Sequence, residues 1–108
     1  MSNSWKSGSK ENVTLEDIFK ILDQVIISKN HKIIVGTDSV KLGHDFVFTN
    51  AICILNSEVY DRKYFYYREK FKDDSYLDLS KRLLKETTDS IELALKIRKK
   101  LTNANIEI

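Results

Sequence analysis

Two carboxylates in this chain stand where an acid is costly unless something uses it. Asp38 lies in Gly36-Thr37-Asp38-Ser39, at the end of the β-branched run Ile33-Ile34-Val35. An unpaired carboxylate in an apolar layer costs several kcal/mol, roughly. Asp38 is therefore either satisfied by a partner or set where negative charge is wanted, most commonly at a divalent cation. Glu86 is the second acid. It follows Leu83 by three residues and precedes Leu93 by seven, on an apolar stripe of a helix, with Ser90 one turn on along the same face. It either reaches inward beside Ser90 or pairs at the helix edge with Arg82, one turn back.

A third pattern alternates along a strand. Tyr60, Arg62, Tyr64, Tyr66 and Arg68 share one face, with Asp61, Lys63, Phe65, Tyr67 and Glu69 on the other. Interleaved tyrosine and arginine can stack on bases and contact phosphates. The same pattern also suits an edge strand whose charges discourage pairing with other sheets. Lys96, Arg98, Lys99 and Lys100 close the last helix, where cations complement the helix dipole.

The elements that must position these residues follow from periodicity. Residues 1–12 read as a flexible leader in which only Trp5 has reason to dock, and the domain covers 13–108. Thr14 and Asp17 form a capping pair, and Leu15, Ile18, Phe19, Leu22, Val25 and Ile26 make one helical stripe. Strands are expected over 32–38, 46–55 and 59–71, joined by short turns into an antiparallel meander. The consecutive apolar residues of the first suggest burial on both faces. Asp73-Asp74-Ser75 can cap a long helix over 76–101. Its two apolar stripes, Leu84-Thr88-Ile91-Leu95 and Leu79-Leu83-Leu93-Ile97, suggest packing between elements. Ile106-Glu107-Ile108 reads as the start of a fourth strand, so the chain is expected to be a piece of a longer domain.

Composition narrows the classes. The chain has 108 residues, 42% apolar and 31% charged, with net charge +2 and one cysteine, Cys53. That describes one globular domain, too weakly basic to imply nucleic acid by charge alone. A lone cysteine makes no internal disulfide, and with no apolar run of spanning length a cytoplasmic location is the natural expectation.

Val35-Gly36-Thr37-Asp38-Ser39, the strand meander and the segment from Glu86 to Ala94 resemble the YkuK family of ribonuclease H-like proteins, over residues 14–108. The resemblance implies an α/β ribonuclease H-like fold: a three-stranded meander, a crossing helix and a fourth strand parallel to the first, here with an extra N-terminal helix. It implies a metal-dependent nuclease in which Asp38 and Glu86 are catalytic carboxylates holding Mg2+ or Mn2+, with Ser39 and Ser90 supporting them. A third acid is expected a few residues beyond Ile108. Two such ions would activate water and relieve charge on both oxygens of the scissile phosphodiester.

The expected function is therefore phosphodiester hydrolysis, incomplete in this chain, on RNA, DNA or a hybrid. The alternative is a non-catalytic module binding nucleic acid or protein on the same fold, with Arg62, Tyr64, Tyr66 and Arg68 as its surface. An open sheet edge would also favour self-association.

Overall fold

The computed structural model describes residues 5–27, 30–55 and 62–108; the side chain of Arg62 lies outside it, as do Tyr60 and Asp61. The elements are β1 (Trp5–Ser7), β2 (Asn12–Val13), α1 (Leu15–Val25), β3 (Lys32–Leu42), β4 (Asp45–Leu55), β5 (Arg62–Phe71), a 3-10 turn (Asp74–Leu77), α2 (Leu79–Lys100) and β6 (Ile106–Glu107). The strands form one mixed sheet in the order β2-β1-β5-β4-β3-β6. Neighbouring strands run antiparallel except β3 and β6, which pair in parallel at Ile33 with Ile106 and Ile34 with Glu107.

Helix α1 starts as the capping pair requires. Thr14 Oγ1 accepts from the Asp17 amide at 3.0 Å and Asp17 Oδ2 accepts from the Thr14 amide at 3.1 Å. These bonds, the Thr14 backbone contribution first, hold the Asp17 carboxyl below its ordinary range. The stripe of α1 then buries Ile18, Leu22 and Val25 against the sheet. Helix α2 adds Leu93, Ala94 and Ile97 to the same core, over Ile33, Val35, Ile52, Ile54 and Phe65. Both helices therefore lie on one face of the sheet.

The other face carries no helix among the described residues. Ile34 is only half-buried and Asp38 is exposed, so β3 is not covered on both sides as its apolar run suggests. Alternation explains the difference. Val35 and Ile33 supply the buried side, while Ile34, Gly36 and Asp38 form the open one.

Three further expectations change. The segment read as a leader enters the sheet from Trp5 onward. Lys6 pairs with Tyr66 and Ser7 with Phe65, and the Trp5 indole is 2% exposed, edge-on to Tyr67 with ring centroids 4.4 Å apart. Asp73 caps the 3-10 turn, and α2 has its own cap, Asp78, whose Oδ1 accepts from the Ser80 amide at 2.9 Å. The turn is needed to lower Tyr76 onto Phe46, Phe48 and Phe71, at centroid distances of 5.9, 5.0 and 5.9 Å. Lastly, α2 packs through only part of one stripe: Leu93 and Ile97 are buried, whereas Leu79 and Leu83 are 60% and 50% exposed. Leu84, Ile91 and Leu95 face outward. Among the described residues no helix is long and apolar enough to cross a membrane.

Candidate functional site

Thr37 and Ser39 point under α2, and they organise a polar layer there. Ser39 Oγ donates to Glu86 Oε2. Arg82 Nε donates to the same Ser39 oxygen at 3.2 Å, and Arg82 Nη2 donates to the Ser39 carbonyl at 3.1 Å. Glu86 and Arg82 thus meet through a serine hydroxyl, with no direct ion pair between them among the described residues. One turn on, Ser90 Oγ donates to Thr37 Oγ1 at 3.0 Å, and Thr37 Oγ1 donates to Asn50 Oδ1 at 2.8 Å. Asn50 is fully buried, and its Nδ2 has no hydrogen-bond partner among the described residues. Lys85 bridges to Asp89 at 3.0 Å with its ammonium 4.8 Å from the centroid of Phe71.

Ser39 on β3 therefore meets Glu86 from the inner face of α2, where Ser90 also lies. Asp38 goes the other way. Since both of its neighbours bond beneath α2, its own side chain leaves β3 toward the open face. There it is exposed and has no hydrogen bond or ion pair among the described residues.

The oxygen donors of Asp38 and Glu86 suit magnesium or manganese in kind. Their placement does not suit one shared ion, because the β3 backbone stands between the two carboxylates. Among the described residues no three His, Cys, Asp or Glu side chains gather where one ion could be held. The residues as placed do not fit the implied metal pair, so no catalytic step is drawn through one.

The open face has a different composition. Phe65 turns into the core at 0% exposure, so Tyr64, Tyr66 and Arg68 turn outward. Strand β5 is interior, between β1 and β4, which removes the edge-strand reading of its tyrosines. The rings of Tyr64 and Tyr66 are 6.2 Å apart and inclined by 30°, and the Arg68 guanidinium carbon lies 5.4 Å from the Tyr66 centroid.

Cross-strand register completes the surface. Tyr66 stands in a row with Ala51, Gly36 and Lys6; Arg68 stands in a row with Thr49 and Asp38; Lys70 lies opposite Val47. A Cβ added at Gly36 would meet nothing within 4 Å, so Gly36 and Ala51 leave a shallow floor beside the Tyr66 ring. At Gly8 the reverse holds. An added Cβ would come 2.8 Å from Tyr64 Cε1, so only glycine lets that ring lie against β1's end. Cys53, opposite Tyr64, is half-buried, and burial pushes its thiol up.

The sequence model of the family described as Ribonuclease H-like matches residues 14–108. This chain belongs to the ribonuclease H-like family. Its mixed α/β architecture, with a six-stranded sheet and two helices, fits that family's fold. No curated protein and no solved structure matches the chain.

Lys6, Gly8, Gly36 and Asn50 matter here and were not singled out by sequence reasoning. Gly36 is the one with a signal, being the smallest residue in a strand otherwise rich in β-branched side chains. Tyr67, in contrast, turns toward the helices. Its hydroxyl is pushed up to about 12, first by burial and then by the carboxylates of Glu69, Asp89 and Glu92.

Because the folded pKa exceeds the ordinary 10.0, the unfolded chain gives up this proton first as pH rises. The stabilising effect of the neutral phenol is complete below pH 10.0 and is lost on the way to about 12. Urea unfolding midpoints measured across that range are expected to fall for the native chain and to fall less steeply for Tyr67→Phe.

Proposed function

We propose that this ribonuclease H-like chain binds single-stranded nucleic acid on the open face of its sheet. The observation that carries the reading is the pair of tyrosine rings beside Arg68 on an interior strand with no helix over it. Stacking on aromatic side chains accounts for about 1–3 kcal/mol per base and tolerates any sequence. A duplex hides its base faces, so such a platform selects unpaired strands. Lys6 beside Tyr66, Arg68 over its ring and Lys70 farther along β5 supply positive charge for the phosphates. Within the family, Gly36-Thr37-Asp38-Ser39 supports kinship with the YkuK group.

Phosphodiester hydrolysis is the second reading, and one observation favours it. Asp38 stands unpartnered on this same face, in the row of Arg68, where a bound strand would pass. An acid repels phosphate unless a cation lies between them, so Asp38 is the residue to test first.

Fluorescence anisotropy with labelled single-stranded RNA, single-stranded DNA and a hybrid duplex separates the readings. Binding is expected to favour single strands and to need no divalent ion. With three phosphate contacts, the logarithm of affinity is expected to fall against the logarithm of salt concentration with a slope of about −2. Equal binding to duplex, or none to any strand, would overturn the platform. Cleavage in Mg2+ or Mn2+ that Asp38→Asn abolishes would promote the second reading to first.

A further inference from the structure

Helix α2 carries an unpartnered apolar seam on the side away from the sheet. Leu84 is 66% exposed, Ile91 42% and Leu95 63%, with Thr88 exposed between them. The spacing of four, three and four residues is that of alternating a and d positions in a heptad. At 100° per residue the four side chains fall within an arc of about 60°, roughly half a turn from Leu93 and Ile97, which face the core. Half-exposed Leu83 lies between it and the core side near the start of α2, so the seam is a separate surface from Thr88 to Leu95.

Its width identifies the kind of surface that covers it. A helix packed on a globular core shows a broad apolar face, about 100° or wider, whereas a strict a/d seam is the contact of one helix with another. Charge then narrows the partner. Lys81 and Arg98 close the two ends of the seam, Lys96 and Lys99 flank it, and Glu92 is the one exposed acid of α2. A second copy of this helix meets like charge in either orientation. Run antiparallel, with Leu84 against Leu95, it sets Lys81 against Arg98; run parallel, it sets each cation against itself.

We propose that this seam docks an amphipathic helix of another protein, with apolar a and d positions and acidic flanks. From Lys81 to Arg98 the contact is about 26 Å long, and it lies on the opposite side of the domain from the tyrosine platform. Both can be occupied at once.

The probe is a labelled synthetic helix of about three heptads with leucine at a and d and glutamate at e and g; its like charges keep it from pairing with itself. A lysine-flanked counterpart and phosphatidylserine-containing vesicles serve as controls. Anisotropy is expected to show saturable binding of the glutamate peptide, about tenfold tighter than of the lysine peptide. Ile91→Glu with Leu95→Glu is expected to abolish it, while circular dichroism and single-strand binding stay unchanged. Lys81→Glu with Arg98→Glu is expected to reverse the peptide preference.

Equal binding of both peptides, binding that survives Ile91→Glu with Leu95→Glu, or no binding would each overturn the proposal. So would vesicle binding stronger than peptide binding, or a protein dimer in sedimentation that Ile91→Glu dissociates.

Discussion

Tyr66→Ala is expected to weaken single-strand binding by about 1–3 kcal/mol, or roughly fivefold to 150-fold, without unfolding the protein. The ring lies on the open side of β5 and holds Arg68 over it, so truncation removes a stacking surface and frees the guanidinium together. Tyr64→Ala should act in the same direction, and the double variant should lose nearly all affinity not supplied by phosphate contacts. Its salt slope should remain, since the cations are untouched. Gly36→Val provides the complementary result. A Cβ at this position meets nothing within 4 Å and valine suits a strand, so stability should hold or rise while the filled floor lowers affinity. If Tyr66→Ala and Gly36→Val both bind like the native chain, the open face is not where the strand lies.

The second large effect is on stability. Phe65→Ala is expected to destabilise the fold by about 3–5 kcal/mol, measured as a shifted midpoint in urea at unchanged slope. Phe65 is 0% exposed in the middle of β5, opposite Ile52 on one side and Ser7 on the other, beneath both helices. No exposed side chain can move in to fill the void. Since small domains are stable by about 5–15 kcal/mol in all, the variant should sit near unfolding at 37 °C. A loss below about 1 kcal/mol would mean that the core closes around the gap.

The sequence announced some of this plainly. Thr14 and Asp17 mark the start of α1 because a capping pair is a local interaction between residues three apart. The long helix and the runs around it were readable for the same reason. Which stripe of α2 meets the core was not. Leu84-Thr88-Ile91-Leu95 and Leu79-Leu83-Leu93-Ile97 are both apolar at helical spacings, and only the sheet beneath selects Leu93 and Ile97 for burial. Trp5 looked isolated because its strand pairs with residues near Tyr66, far along the chain, and no local pattern encodes such a contact.

Asp38 shows the limit most clearly. Alternation guarantees that it diverges from Thr37 and Ser39, yet nothing in Gly36-Thr37-Asp38-Ser39 says which set the helix covers. The hydroxyls of Ser90 and the carboxylate of Glu86 make that choice, by bonding to Thr37 and Ser39. A shared cation site for Asp38 and Glu86 was a reasonable inference from the two motifs, but the strand's own backbone intervenes.

Anyone shortening this protein for study would be tempted to begin at Thr14, where recognisable helix starts. That cut would withdraw an indole from the interior and leave β5 with an unprotected flank. It would also take away Gly8, against which the Tyr64 ring lies. A clone so trimmed would misbehave as a solution sample, and its failure to hold a nucleic-acid strand would reflect lost structure and leave the proposed platform unjudged.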